Sequence, residues 1–212
     1  MFVGHTAVAL AAKARAPETS LGVLVAAVFG LDLLWPLFLL LGIERVRIEP
    51  GNTTVTPLAF DSYPWSHSLL MAIVWGAVLA LVVRRRAVLI ALLVVSHWVL
   101  DVVTHRPDLP LWPGSSSPLL GLGLWNSIPG TLLVEGLLFA IGIAIYLRAT
   151  RARDRIGGVA IWALLVFQGA IWASTPWAPP PPSARALAWV GLATWLFVPW
   201  ATWIDRHRET RP

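Results

Sequence analysis

Histidine and aspartate recur at four-residue intervals in the segment SHWVLDVVTHRPD, residues 96–108. Residues four positions apart share one face of an α-helix, so His97, Asp101 and His105 are predicted to form one polar stripe. Imidazole nitrogens and carboxylate oxygens are the ligands that zinc and similar divalent ions take from proteins. The stripe therefore predicts part of a divalent metal site.

Further ionisable residues lie in or beside apolar stretches far apart in the chain. Asp32, His67 and Glu135 are flanked by long apolar runs, and His5 lies in an apolar segment of its own. Such side chains are costly inside a bilayer and usually mark functional sites there. The predicted metal ligands are His5, Asp32, His67, His97 and Asp101, and the additional candidates for the site are His105, Asp61 and Arg106.

Each candidate also has a plainer interpretation. His97 and Asp101 could simply hydrogen-bond to each other, because polar pairs hold helices together in membrane bundles. Asp32 could form an interhelical hydrogen bond, and Glu135 is more typical of a structural or supporting residue than of a direct ligand. The plainer alternatives for the rest are a solvated loop residue for His105, an interfacial arginine for Arg106 and a turn residue for Asp61.

The composition places these residues in a membrane. Of 212 residues, 57% are hydrophobic and 13% are charged, and the mean hydropathy is +0.72, whereas soluble domains carry about 25% charged residues. Apolar runs of about 20 residues can each cross a bilayer. The predicted fold is all-α, a polytopic membrane helix bundle with a short N-terminal helix and about six transmembrane helices, at 21–43, 65–83, 87–104, 130–147, 156–175 and 186–204.

The basic residues predict how the chain is oriented. Residues 1–16 lack the basic start of a signal peptide, since Lys13 and Arg15 follow the apolar part, and a retained helix that dips into the membrane or packs on the bundle is predicted. Twelve lysines and arginines fall in loops on one side and four on the other. Because basic loops stay in the cytoplasm, the prediction is a multi-pass protein of the cell (inner) membrane with both termini cytoplasmic.

The same features narrow the partners and the metal chemistry. The net charge of +5 follows from the loop asymmetry, so nucleic-acid binding is not predicted. With no cysteine in the chain, any metal must use nitrogen and oxygen ligands. Residues 1–212 are predicted to form one integral membrane domain, in which 1–148 carries the polar site and 149–212 is a tryptophan-rich two-helix scaffold.

Span directions and the helical rise of about 1.5 Å per residue then predict depth. His67, Asp101 and Glu135 fall near the outer ends of their spans, His97 about a turn deeper, and Asp32 near mid-membrane. The polar residues should therefore converge in the outer half of the bundle. That convergence favours a divalent metal, most simply zinc, with manganese as the alternative.

Four segments carry a resemblance to a known family. GHTAVALA, GLDLLWP, YPWSHSLL and SHWVLDVVTH together resemble the LexA-regulated inner-membrane family of metal-dependent hydrolases, over about residues 1–108. The resemblance implies His5, Asp32, His67, His97 and Asp101 as the site. Where the family often has Pro-Asp-x-Asp, this chain has Leu-Asp-Leu-Leu, so one carboxylate is missing unless Asp61 substitutes for it. The His-x-x-x-Asp helix is also similar to one in zinc-dependent phospholipase C and the nucleases that share its fold.

The favoured function is a membrane-embedded metal-dependent hydrolase acting on an ester or phosphoester of a lipid-like substrate. Asp101 or Glu135 is the predicted base, and the Gly-, Pro- and Ser-rich outer loop 105–129 is predicted to cover the substrate. Membrane lipids are the expected partners. The alternatives are a transporter or ion or proton pathway, which also uses buried His, Asp and Glu, and a non-catalytic membrane protein with a structural metal.

Overall fold

Helices dominate the computed structural model, which describes residues 1–211. This part of the chain contains α1 (Val3–Lys13), α2 (Leu21–Val28), α3 (Gly30–Leu40), α4 (Pro64–His67), α5 (Leu69–Val83), α6 (Ala87–Thr104), α7 (Ile128–Ala149), α8 (Arg155–Ser174), α9 (Ala184–Gly191) and α10 (Phe197–Arg206). The predicted helical bundle is confirmed. Short strands that the sequence did not predict pair as β1 (Arg45–Ile48) with β2 (Leu58–Ser62), β3 (Leu109–Pro110) with β4 (Leu119–Leu120), and β5 (Thr150–Ala152) with β6 (Arg208–Thr210).

Four helical stretches within residues 1–211 are long and apolar enough to cross a membrane. They are Ala87–Thr104, Ile128–Ala149, Arg155–Trp177 and Ala184–Arg206. The pair α2 and α3 gives a fifth if its two helices, bent by 56°, are one span. Helix α5 is apolar but has only 15 residues, so the predicted number of six stays a prediction.

Two of the predicted continuous spans are broken, at 29 and 68, whereas the span predicted over 186–204 continues from α9 to α10 through a 3₁₀ helix, Leu192–Leu196. The span predicted over 21–43 breaks at Phe29 and ends at Leu40. The span predicted over 65–83 breaks at Ser68, whose backbone is extended and whose hydroxyl caps α5 by accepting from the Met71 amide. Apolar length alone therefore overestimated the continuity of these helices, because local breaks leave no mark on hydropathy.

Helix α1 packs inside the bundle, against α2 and α7, with nine of its eleven residues buried. The contact with α7 is close because Gly142 has no side chain: a Cβ there would lie 2.5 Å from the Ala7 Cα. Small residues permit such approach between membrane helices. This contact fixes the level of His5, one half-turn before Ala7 on α1.

Polar contacts gather the basic segments at one end of the bundle. The Lys13 ammonium lies 2.7 Å from the Asp205 carboxylate. Arg208 donates to the Thr150 hydroxyl and the Gly157 carbonyl, while strands β5 and β6 pair beside them. Arg86 pairs with Glu18, which adds the 84–86 turn to the same end. The sequence grouped these segments correctly, whereas their side of the membrane remains a prediction.

The amino terminus lies at the opposite end of α1, within the bundle. Met1 is only 5% exposed. Around it, the β1–β2 hairpin and the 105–129 loop close over the helix ends, joined by a hydrogen bond from the Val55 amide to the Trp125 carbonyl. The loop also folds back on α6, since the Leu122 amide donates to Val102. The outer segments therefore form a cover over the polar residues.

Replacing Gly142 with alanine should loosen the contact between α1 and α7. We expect Gly142→Ala to lower the free energy of unfolding by about 1–3 kcal/mol, as overpacking does in cores. Gly158→Ala is the matched control, since Gly158 is also helical but has nothing within 4 Å of its added Cβ. Unfolding of both variants in detergent, followed by circular dichroism, gives the comparison, and equal midpoints would contradict the close packing.

Cysteine labelling tests the orientation. Because the chain has no cysteine, single replacements can be read directly with a membrane-impermeant maleimide. We expect Ser116→Cys, in the exposed outer loop, to react in intact cells, and Arg153→Cys, at the basic end, to react only after permeabilisation. The reverse pattern would overturn the predicted topology.

Candidate metal centre

The Asp101 carboxylate, on α6, joins two histidines from different helices. Its Oδ1 lies 3.1 Å from His5 Nε2, on α1, and its Oδ2 lies 3.0 Å from His97 Nε2, one turn earlier on α6. The Met1 amino group also contacts Oδ1. The side chains of His5, His97 and Asp101 are almost fully buried. Their donor atoms lie within 4.8 Å of one another, so the group could hold a metal ion.

A second group shares His97 and extends the cluster to α3 and α4. The Asp32 Oδ1 lies 3.5 Å from His67 Nε2 and 3.8 Å from His97 Nε2. His67 Nε2 also lies 3.8 Å from Asp101 Oδ2, which connects the two groups. The five residues predicted as ligands are therefore brought together, from positions as far apart as 5 and 101. No single pair of helices could assemble this set.

Hydrogen bonding fixes which His97 nitrogen faces the cluster. His97 Nδ1 lies 2.7 Å from the Val28 carbonyl oxygen, at the break between α2 and α3. A carbonyl only accepts, so Nδ1 carries the proton and the lone pair of the neutral ring is on Nε2. That Nε2 is buried and forms no hydrogen bond, although Asp101 Oδ2 is 3.0 Å away. A lone pair facing a carboxylate is unfavourable unless a cation lies between them, and this donor set fits one.

A chain of hydrogen bonds orients His67 in the same way. The Ser66 hydroxyl lies 2.7 Å from Glu44 Oε2 and 2.7 Å from His67 Nδ1. Its single proton goes to the carboxylate, so it accepts the Nδ1 proton of His67 and leaves the Nε2 lone pair toward Asp32. Glu44 Oε1 accepts from the Trp65 and Ser66 amides. Burial raises the pKa of Glu44, and the Ser66 hydrogen bonds oppose that shift.

His5 is the third histidine of the cluster. Its imidazole stacks on that of His97, with centroids 3.8 Å apart and planes within 5°. Its Nδ1 is buried without a hydrogen-bond partner. Two stacked imidazoles 3.8 Å apart repel if both are charged, so the stacking disfavours protonation of both rings at once.

Three additional candidates lie outside this cluster. Asp61 is on β2 and pairs with Arg47 at 2.7 Å on an exposed surface, so it does not replace the missing carboxylate. Arg106 is 45% exposed and lies 3.8 Å from Asp108. His105 was a candidate ligand, but its Nδ1 faces Asp108 at 3.0 Å. The predicted helical stripe therefore ends at Asp101, because α6 ends at Thr104 and the backbone of His105 is extended.

A cavity of about 200 Å³ opens beside the cluster. Asp32, His67 and Asp101 face it together with Glu135, whose Oε2 accepts from the Phe2 amide at 2.9 Å. Most of the other lining residues are apolar or aromatic, among them Phe2, Trp35, Val55, Phe60, Trp125, Leu132 and Trp172. The site is therefore a polar patch at the end of an apolar chamber.

The tryptophan-rich half also contributes to the site. Trp172, near the end of α8, and Thr175 and Pro176, which follow it, line the cavity. Deeper in the bundle, Gln168 accepts a hydrogen bond from Thr6 and is 1% exposed. The predicted scaffold is thus also part of the cavity wall, and it anchors α1 one residue from His5.

Sequence reasoning missed Glu44, Tyr63 and Asp108. Glu44 precedes RVRI and Asp108 lies two residues after Arg106, so both resemble solvated charges near basic partners. No family model, curated protein or solved structure matches this chain. The geometry of the cluster and its cavity therefore carries the functional argument.

Replacing Glu44 with glutamine should reverse the hydrogen bonds that orient His67. The amide NH₂ would donate to Ser66, whose hydroxyl would then donate to His67 Nδ1 and move the ring proton to Nε2. We expect zinc affinity to fall about 10- to 100-fold, as for other residues that orient ligands. Competition with a chelating dye measures the affinity, and ¹⁵N NMR of the metal-free protein reports the tautomer. Asp61→Asn is the matched control, and equal affinities would contradict this orienting role.

Proposed function

We propose that this chain is a membrane-embedded, metal-dependent hydrolase that cleaves an ester or phosphoester of a lipid-like substrate. The observation that carries the proposal is the meeting of three histidines and two carboxylates at one end of an apolar cavity. It agrees with the resemblance of residues 1–108 to a family of inner-membrane hydrolases. The cell (inner) membrane is the location that follows from this proposal.

His5, Asp32, His67, His97 and Asp101 would hold the ion, with zinc favoured by the nitrogen-rich donor set and manganese as the alternative. A bound divalent ion would polarise a carbonyl or phosphoryl oxygen and lower the pKa of a water molecule toward neutrality. Both oxygens of Asp101 already face histidines. The geometry thus favours Asp101 as a ligand over Asp101 as the base.

Glu135 is the carboxyl group that remains available for proton transfer. It is 1% exposed to solvent and faces the cavity from α7, beside Phe2. It is not a member of either ligand group. A carboxyl group in an apolar chamber can exchange a proton with a reacting oxygen within hydrogen-bond reach.

The cavity walls suit an amphiphilic substrate. Leu132 on α7 and Trp172 and Pro176 at the end of α8 line one side, where both helices reach the bundle surface. Exposed Leu133 and Leu137 continue the apolar surface along α7. We propose that the reacting group enters between these helix ends while the hydrocarbon tail stays in lipid.

The transporter alternative requires a polar route through the bundle. Between His5 and Lys13 on α1, the buried residues are Thr6, Ala7, Ala9, Leu10 and Ala12, which are mostly apolar. Thr6 is already paired with Gln168. This part of the bundle offers ions few polar groups on the way to the basic end. That favours a site that is reached from one side only over a path through the bundle.

Asp101→Asn tests the proposal because the amide keeps the shape of the carboxylate without its charge. Purified wild type should contain stoichiometric metal and hydrolyse at least one member of a panel of phospholipids and bis-p-nitrophenyl phosphate with added zinc or manganese. We expect Asp101→Asn to lose about 10- to 100-fold in metal affinity or activity. Metal analysis and product release are the measurements.

Asp61→Asn is the matched control, since it removes an exposed carboxylate outside the cluster and should leave both quantities unchanged. Full metal occupancy and unchanged activity in Asp101→Asn would exclude Asp101 from the site. A metal-loaded wild type that hydrolyses nothing in the panel would favour the transporter or structural-metal alternatives.

A further inference from the structure

A second polar group lies beside the ligand cluster, and its histidine borders the same cavity. It consists of His105, Asp108 and Tyr63. His105 follows the last residue of α6 and is 4% exposed, and its ring lines the cavity that Asp101 and Glu135 also face. None of the three belongs to either ligand group.

Hydrogen bonds fix the proton on His105. Asp108 Oδ1 lies 3.0 Å from His105 Nδ1 and accepts the Tyr63 hydroxyl proton at 2.7 Å. Burial raises the pKa of Tyr63 well above its usual range, so the phenol stays a donor. Because a carboxylate only accepts, the Nδ1 proton of His105 points to Asp108 and the lone pair of the neutral ring is on Nε2.

Packing holds the ring in this orientation. Its centroid lies 4.8 Å from that of Phe60 and 4.4 Å from that of Trp125. The backbone is fixed as well, since the His105 amide donates to the backbone carbonyl of Asp101 and the His105 carbonyl accepts from the Gly123 amide. A residue at the end of a helix and the start of a loop is thus as constrained as one in the core.

Asp108 also borders a separate outer groove of about 460 Å³, which Tyr63, Ser115 and Ser117 line as well. His105 faces the inner cavity, whereas its carboxylate partner reaches water on the other side of the wall. A histidine held this way by a carboxylate can accept a proton at Nε2 while the carboxylate stabilises the resulting imidazolium.

We propose that His105, oriented by Asp108, is the general base of this site and takes the proton of the attacking water in phosphoester hydrolysis, an assignment that rests on the proposed function. Burial lowers the pKa of His105, while the hydrogen bond to Asp108 opposes the shift. The structure thereby separates the proton-transfer groups from the metal ligands.

Two residues of this chain, His105 and Glu135, then account for both proton transfers of the reaction. The water oxygen bonds to phosphorus as its proton passes to His105 Nε2. The bond from phosphorus to the leaving oxygen breaks, its electron pair stays on that oxygen, and the Glu135 carboxyl supplies a proton to it. His105 then releases one proton to solvent and Glu135 takes one up, so each turnover consumes one water and yields an alcohol and a phosphate product.

The test compares His105→Ala and Asp108→Asn with wild type on bis-p-nitrophenyl phosphate at fixed zinc or manganese. Loss of a general base commonly costs about 100- to 10,000-fold in rate. We expect losses of that order in kcat for His105→Ala at unchanged metal content, and partial recovery with added imidazole. Asp108→Asn keeps the side-chain size and should lose part of the same rate. His207→Ala is the matched control, since His207 also pairs with an aspartate, Asp154, at 2.7 Å, at the basic end.

The outcomes separate this inference from the proposed function. An active wild type with an unimpaired His105→Ala, or with a loss that imidazole does not restore, overturns the base assignment and leaves the hydrolase proposal standing. Loss of metal from His105→Ala also overturns it, since it makes His105 a ligand. A metal-loaded wild type without hydrolysis overturns both. In ¹⁵N NMR, a His105 ring protonated on Nε2 in the neutral form would contradict the assignment independently of activity.

Discussion

A single buried carboxylate, that of Asp101, constrains the arrangement of the bundle's polar half. An ionised carboxylate inside an apolar bundle is strongly unfavourable unless charges or hydrogen bonds compensate it. Here the Met1 amino group contacts Oδ1 of Asp101, and His5 Nε2, from α1, lies 3.1 Å from the same oxygen. The requirement explains why a short N-terminal helix is drawn into the centre of the bundle, and why Gly142 must let α1 approach α7 so closely.

The helix breaks at Phe29 and Ser68 lie beside two histidines of the same cluster. At Phe29 the chain bends by 56° and the Val28 carbonyl accepts from His97. At Ser68 the chain leaves α4 for α5, just after the segment in which Glu44 and Ser66 orient His67. Continuous helices would satisfy their backbone more simply in lipid. The break at Phe29 instead leaves the Val28 carbonyl to accept the Nδ1 proton of His97.

In the proposed mechanism, metal binding and proton transfer belong to different residues. The proposed metal ligands come from four helices, α1, α3, α4 and α6. The proposed proton-transfer groups are Glu135, two turns into α7, and His105, which follows α6. Both border the cavity, and Asp108 contacts His105 from the side of the separate groove. Apolar and aromatic residues separate the chamber from water while the outer groove reaches Asp108. Such a division suits a reaction that must exclude most water yet exchange protons with it.

Much of this could be predicted from the sequence because it depends on local composition and spacing. Apolar length predicts helices in a membrane, basic loops group at one end, and charged residues in apolar runs stand out by their cost. His97 and Asp101 were predictable as a pair, since one helical turn separates them. His5, Asp32 and His67 were predictable as members of the site through their type and depth, although their contacts were not.

Tertiary structure alone decided the rest, because those contacts join residues distant in the chain. Ser66 and Glu44 are 22 residues apart, His5 and Asp101 are 96 apart, and Tyr63 and Asp108 are 45 apart. Glu44, before RVRI, and Asp108, two residues after Arg106, resemble solvated charges in the sequence, and only the fold brings them to Ser66 and His105. Helical spacing could assign His105 to a face, but only the end of α6 and the return of the outer loop set it apart from the ligands, with its ring toward the cavity.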